Sequence, residues 1–473
     1  MKKISIFLCL IVAVGTVGCT NSKTFDELDA ESEYNESQTA PENEPSQKLT
    51  LTGMRVQSGY SDGYAWMRLS SDEYSSLNGI VNKEGKVIAA FPTGNQTNYE
   101  GHSEFEDGYA IIIFDTEVDV LDTNGDIIST QQLGEDNQLV AYGAGYTVIE
   151  NHNHDFDNNS YEYIFYNPNG EEVTKYVPED SESHDVAYIG GGVFSLNVYA
   201  DGYTNDIYFA KANKWVRHRI IPAIEDNDFQ FENSHHVTFN EKSDKGIISC
   251  SRSKDEGSKL TIADKNGNIT DYPLSIEPKD RETIRTCSVF CENYCLVVDY
   301  YSGIDSTGTI SQGLISILNL DTGVQTALSD KYTVDEVWDG KKSTVFFDNN
   351  IFSVPLRGED NECYVGLFDV NCNLLIDPIR VDSYSDYSFS DGRLIVKYED
   401  DNIIDVYSAD GQKLYTMNEV GSIASGDNEV QIYSDGILLD TTSELANIQI
   451  YDLDGNIPYT TLDTADTKIL FYE

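Results

Sequence analysis

Short apolar runs of about four to seven residues, separated by polar punctuation, dominate the chain, which is the length of β-strands rather than of helices. The punctuation recurs. A polar turn ending in glycine or a stand-in falls at Asn82-Lys83-Glu84-Gly85, Asp122-Thr123-Asn124-Gly125, Asn167-Pro168-Asn169-Gly170, Asp264-Lys265-Asn266-Gly267, Asp321-Thr322-Gly323, Ala409-Asp410-Gly411 and Asp452-Leu453-Asp454-Gly455, with degenerate copies at Ala212-Asn213-Lys214 and Asp369-Val370-Asn371-Cys372. From Gly85 to Gly455 the mean interval is about 46 residues, the length of a propeller blade. Asn-Gly and Asp-Gly supply the positive φ of a tight hairpin, so each unit is predicted to contain an antiparallel hairpin.

A second marker precedes many of these turns. It reads Ser61-Asp62-Gly63-Tyr64, Glu106-Asp107-Gly108-Tyr109, Gly143-Ala144-Gly145-Tyr146, Ser390-Asp391-Gly392 and Ser434-Asp435-Gly436, each followed by a predicted strand. The unit is therefore a glycine entry, a strand, a variable loop, a strand, the Asx-Gly turn, a strand, and a connection with room for a fourth strand. Tyr 31 and Phe 19 against Met 4 favour strands too.

The stretch Asp62-Gly63-Tyr64-Ala65-Trp66, followed by Asn78-Gly79-Ile80-Val81-Asn82-Lys83-Glu84-Gly85-Lys86-Val87-Ile88, resembles a WG repeat of bacterial proteins. Weaker copies span Asp107 to Ile128, Asp391 to Leu414 and Asp435 to Ile457, while the stretch from Gly190 to Asp382 diverges. The resemblance implies repetition and surface placement, commonly without an enzymatic activity. The expected fold is all-β, a β-propeller of seven to nine blades over 49–473. A β-solenoid, or two tandem β-domains dividing near Ile220, are the alternatives. Leu49 to Val56 and Lys468 to Tyr472 are expected to complete one shared blade.

The first residues have another purpose. Lys2 and Lys3 precede an apolar run from Ile4 to Val17, too short for a membrane span, which reads as a signal peptide over 1–18. Thr16-Val17-Gly18-Cys19 resembles a lipobox, with Thr16 where that motif usually has leucine, and the resemblance implies lipidation of Cys19. Residues 20–48 hold eight acidic side chains and only Phe25, Leu28 and Tyr34 as sizeable apolar ones. Such a stretch cannot bury enough surface to offset its ordering entropy, so 19–48 is expected to be a disordered acidic tether. The implied address is the bacterial cell surface, reached by export, with the membrane engaged through the lipid alone.

A formal charge of -50 argues against nucleic acid, whose phosphates require Lys and Arg. It suits a soluble, monomeric domain whose partner is a protein or envelope component. Metal chemistry has two candidates. His152 and His154 with Asp155 form a His-x-His set beside a carboxylate, placed in a loop between predicted strands at Tyr146 to Glu150 and Tyr161 to Tyr166. Asp452 and Asp454 come nearest to a calcium loop, calcium being the one cofactor the turns suggest. Cys287, Cys291 and Cys295 are expected on strand, too far apart for one metal and suited to packing. His235 and His236, as strand neighbours, would point to opposite faces.

Neither a His-Glu-x-x-His helix nor a phosphate loop is present in the sequence, and no catalytic residue is assigned. A binding or interaction module is the expected function. The alternative is an extracellular hydrolase or lyase acting on a glycan or peptide at the propeller funnel.

Overall fold

The computed structural model describes residues 49–58, 60–93, 99–134, 136–155, 158–178, 183–200, 202–219, 238–239, 244–253, 257–276, 283–290, 293–305, 308–334, 345–348, 350–383, 387–390, 392–398, 403–418, 430–432, 438–440, 449–451 and 461–470. Nine consecutive sheets are formed by these residues. Sheet 1 begins with β1 (Leu51–Val56), β2 (Tyr64–Ser71), β3 (Leu77–Asn82) and β4 (Val87–Pro92). Sheet 2 holds β5 (Tyr99–His102), β6 (Tyr109–Phe114), β7 (Glu117–Asp122) and β8 (Ile127–Gln132). In sheet 3 lie β9 (Asn137–Gly143), β10 (Tyr146–Asp155), β11 (Asn158–Tyr166) and β12 (Glu172–Tyr176). Sheet 4 follows with β13 (Ser183–Tyr188), β14 (Val193–Ala200), β15 (Gly202–Phe209) and β16 (Lys214–Arg219). The fifth sheet contains β17 (Thr238–Phe239), β18 (Lys245–Ser253), β19 (Gly257–Asp264) and β20 (Ile269–Leu274). Next come β21 (Thr283–Phe290), β22 (Tyr294–Asp305), β23 (Gly308–Asn319) and β24 (Gln325–Ala327) in sheet 6. Sheet 7 is β25 (Phe347–Asp348), β26 (Ile351–Arg357), β27 (Cys363–Asp369) and β28 (Ile379–Arg380). Sheet 8 is β29 (Tyr387–Ser390), β30 (Arg393–Tyr398), β31 (Ile403–Ser408) and β32 (Lys413–Asn418). Sheet 9 has β33 (Val430–Ile432), β34 (Leu438–Asp440) and β35 (Gln449–Tyr451).

Within each sheet these strands run antiparallel in chain order, each hydrogen-bonded to the next; one later strand added to sheet 1 is the exception. The fourth strand anticipated in the connection is the opening strand of the following sheet. First strands also neighbour one another, β9 beside β13 and β25 beside β29, then β29 beside β33. This is the arrangement of a β-propeller, with one blade per repeat, four-stranded in sheets 2 to 8, and the first strands innermost.

The cores confirm the stacking. Trp66, Ile80 and Phe91 of blade 1 pack against Phe105, Ile112 and Phe114 of blade 2. Phe165 of blade 3 meets Phe194 and Tyr208 of blade 4, and Ile315 and Ile317 of blade 6 meet Phe352 and Phe368 of blade 7. A blade is thus covered on both faces. In β3 and β6 five successive residues are buried, and β6 accordingly reads in sequence as a continuous apolar run rather than an alternation.

The two ends meet in blade 1. A last strand, β36 (Lys468–Ile469), pairs parallel to β4, while β1 occupies the opposite edge of the same sheet. Thr464 Oγ1 donates to Leu49 O at 2.7 Å, and Ile469 packs with Leu49, Leu69 and Val87. The expectation that both end segments share one blade holds for β1 and β36.

Candidate interaction face

Antiparallel order divides each blade's connections between two ends. The turns from first to second strand and from third to fourth lie at one end, and the loops from second to third strand lie at the other. The first end is built from the two sequence markers.

Asp62 and Gly63 have φ of 51° and 86°, Asp107 and Gly108 53° and 82°, and Ala144 and Gly145 49° and 76°. Two successive positive φ values make a type I′ hairpin, which explains Asp-Gly at these points. Side chains at this end tie blades together, blade 1 to blade 2 and blade 7 to blade 8 as neighbours, and blade 2 to blade 4. Asp62 Oδ2 accepts from Gly108 N at 2.9 Å, Glu106 Oε1 from Gly191 N at 2.8 Å, and Asp348 Oδ2 from Gly392 N at 2.9 Å. Lys211 Nζ pairs with Asp107 Oδ2 at 2.6 Å.

The Asx-Gly turns close in another way. Asp122 Oδ1 accepts the N–H groups of Asn124 and Asp126, Asp264 Oδ1 those of Asn266 and Asn268, and Asp369 Oδ1 those of Asn371 and Asn373. Burial raises the Asp264 carboxyl, but these N–H groups and the Asn268 side chain outweigh it and hold the group below its ordinary value. Turn chemistry therefore accounts for Asp at these positions. The degenerate copies follow the same geometry, for Asn213 and Cys372 take φ of 45° and 62° where other blades carry glycine.

Carboxylates are engaged within the blades, Asp119, Asp206 and Asp405 buried and Asp271 exposed. Directly opposed strand pairs join Asp119 to Thr130 at 2.5 Å, Thr261 to Asp271 at 2.8 Å and Asp405 to Thr416 at 2.6 Å, in blades 2, 5 and 8. Asp206 takes a bidentate fork from Arg217 at 2.9 and 2.8 Å. These acids cross-link strands.

The opposite end is uneven. In blades 1, 2 and 8 the third strand is covered by the fourth along most of its length. Blades 3 and 6 depart from this. Their second and third strands run past their neighbours as two-stranded arms, with pairing that continues to Asp155↔Asn158 and to Asp305↔Gly308. In blade 3, β9 stops at Asn151 and β12 at Tyr163. In blade 6, β21 reaches Tyr301, but β24 covers only Ser316 to Leu318, with Leu328 N adding one bond to Ile315 O.

The arms correct one expectation. His152, His154 and Asp155 lie in β10 rather than in a loop, because the ladder with β11 extends through Asn153↔Ser160 and His154↔Asn159. His152 Nε2 sits 2.6 Å from Glu150 Oε1 on its own strand, and His152 N donates to Asp136 O. The side chains of His154 and Asp155 are outside the described residues, as are Cys19, Cys291, His235, His236, Asp452, Asp454 and the whole of 1–48. Among the described residues no three His, Cys, Asp or Glu side chains gather in metal-binding geometry. Cys287 and Cys295 fall on the paired strands β21 and β22. Cys295 is fully buried and Cys287 packs against the same cluster.

Sequence reasoning missed the arms themselves. Their Asn, Ser, Gly and Asp content reads as loop. The available signal was length, since Gly145 to Asn167 and Asn293 to Asn319 are longer than the same interval in blade 2, from Gly108 to Asp122.

No family model matches the chain and no curated protein matches it. Among solved structures it is similar to a eukaryotic initiation factor at 12% identity, covering 79% of this chain and 90% of that one with a TM-score of 0.42. BamB from Moraxella catarrhalis aligns at 11% identity over 76% and 98% of the two chains, TM-score 0.32. The Pan2 WD40 domain of Neurospora crassa aligns at 10% identity over 75% and 94%, TM-score 0.27. The class defined by the sheet order is the β-propeller.

Proposed function

We propose that this chain is a binding module of the bacterial cell surface, a β-propeller tethered through a lipid on Cys19 and the acidic segment 19–48. Its contact surface is the end that carries the second-to-third-strand loops. The observation behind this reading is the pair of arms on blades 3 and 6. The opposite end is occupied by turns that tie blades together, whereas the arms extend beyond the sheets they belong to and leave strand edges unpaired among the described residues. The likeness of the first and last units to WG repeats supports the same reading.

The test is capture from bacterial envelope extract with residues 49–473, alongside a variant in which Asn153 to Ser160 and Ser302 to Ser311 are each replaced by Asn-Gly. Specific proteins retained by the parent and lost from the variant are the expected result. Turnover of envelope glycans or peptides with no partner retained would overturn the proposal. Anchoring is checked separately by metabolic labelling with a radioactive fatty acid, which Cys19→Ala should abolish.

A further inference from the structure

The outer edge of β23 is an unprotected strand edge among the described residues. Strand edges in natural proteins are blunted by lysine, proline, a bulge or short length, because an open row of N–H and C=O groups templates pairing with another chain. Over Gly308-Thr309-Ile310-Ser311-Gln312-Gly313-Leu314, β23 has none of these. It pairs with β22 without a register shift, carries no charge and no proline, and has no strand on its other side among the described residues. Seven residues at about 3.4 Å each give an edge of roughly 24 Å, enough for several ladder bonds.

The direction of its backbone groups follows from the adjoining bonds. Ile315 O accepts from Leu328 N and Asn319 N donates to Val324 O, so odd-numbered residues direct their backbone groups away from β22. By strand alternation, Thr309, Ser311 and Gly313 present outward N–H and C=O groups.

Charge selects the occupant. A second copy would bring another -50 to this edge, and such self-repulsion keeps proteins apart. A segment that is uncharged where it pairs and bears Lys or Arg on either side meets the opposite condition. We infer that β23 binds an extended, basic-flanked segment of a partner protein by strand addition, with Thr309, Ser311 and Gly313 supplying the ladder. The inference rests on the reading of the chain as a binding module and names the partner class at one arm.

The experiment is panning of a random peptide display library on residues 49–473, followed by titration of an enriched peptide into the parent, Ser311→Pro and a variant with Ser302 to Ser311 replaced by Asn-Gly. Ser311→Pro removes an outward donor and spares the bonds to β22, as proline tolerates an edge whose N–H faces solvent. Enriched peptides should lack proline at their centre and carry Lys or Arg flanks. Their affinity should fall by about tenfold or more in Ser311→Pro and should weaken with added salt. Unchanged melting shows that the variant is folded, and if Ser311→Pro melts early the arm-replacement variant supplies the same comparison. Acidic or sequence-random enrichment, full affinity in both variants, or dimers that Ser311→Pro dissociates would each overturn the inference. If envelope proteins are still captured in those cases, the binding-module reading stands and only the strand-addition site fails. If nothing is captured while the peptide result holds, the edge stands and the surface reading fails.

Discussion

Gly125 shows why glycine punctuates the repeat. Its φ is +72°, and a Cβ there would lie 2.6 Å from the Ala89 Cβ on β4 of the preceding blade. Gly170 and Gly411 make the same approach, to Ser129 at 2.9 Å and to Ile376 at 2.8 Å. Gly323 has φ +69° with nothing within 4 Å. Gly125→Ala adds overpacking to left-handed strain and should destabilise by roughly 2–4 kcal/mol, whereas Gly323→Ala carries the strain alone at about 1 kcal/mol. Urea denaturation of the two variants measures the difference, and equal losses would show that blade contact is not part of the glycine's role. His102 yields a pH prediction. Its ring lies 4.3 Å from that of Trp66, the Tyr99 hydroxyl shares a hydrogen bond with Nδ1, and burial lowers the imidazole from 6.5 to about 4. Because the folded value lies below the unfolded one, the unfolded chain takes up the proton first. The neutral ring's contribution is complete above 6.5 and is lost as pH falls toward about 4, by roughly 3 kcal/mol. His102→Gln keeps a hydrogen-bond acceptor for Tyr99, and its stability should fall less than the parent's over that window.

At the scale of elements, the hairpins were legible because their chemistry is local. Asx-Gly fixes a turn wherever it falls, and the degenerate copies at Asn213 and Cys372 were legible for the same reason, since position in the repeat demands a positive φ whatever the residue. The register shifts just before these turns, at Val120/Leu121, Phe165/Tyr166 and Val406/Tyr407, are bulges produced by the same geometry. The arms were not legible because a two-stranded ribbon has no buried face to impose alternation, so its sequence carries no periodic signal. It also follows that the arm of blade 6 is not needed by the fold. Among the described residues Ser302 to Asp305 pair only with Gly308 to Ser311, and neither β21 nor β24 reaches them. Replacement of Ser302 to Ser311 by Asn-Gly should leave unfolding free energy within about 1 kcal/mol of the parent, because an isolated hairpin is at best marginally stable in water. A larger loss in chemical denaturation would mean that the arm braces the blades.

For the whole molecule, the repeat length announced a propeller, but how the two ends meet depends on contacts between residues hundreds of positions apart. The segment 461–470 makes those contacts. Val87 N donates to Asp463 O, Asp463 N to Gly85 O and Leu470 N to Ala90 O, while Lys468 Nζ reaches Asp126 Oδ1 of blade 2 at 2.6 Å. Ile469 and Leu470 are buried, and each apolar side chain of that size contributes about 1.5–3 kcal/mol. The Lys468 pair is partly exposed and contributes little, so Lys468→Ala should change stability by less than about 1 kcal/mol. Truncation after Thr460 is a different matter. It removes two buried apolar side chains, with the buried Thr464 and Thr467, and uncovers the edge of β4, which is apolar from Val87 to Phe91 and has no charge to discourage pairing. Stability should drop by roughly 3–6 kcal/mol, and hydrogen exchange at Val87 N–H, whose acceptor is Asp463 O, should accelerate while Lys468→Ala leaves it protected. Exchange at Val87 unchanged by truncation would show that blade 1 is held without the terminal strand, and closure would then rest on packing between blades alone.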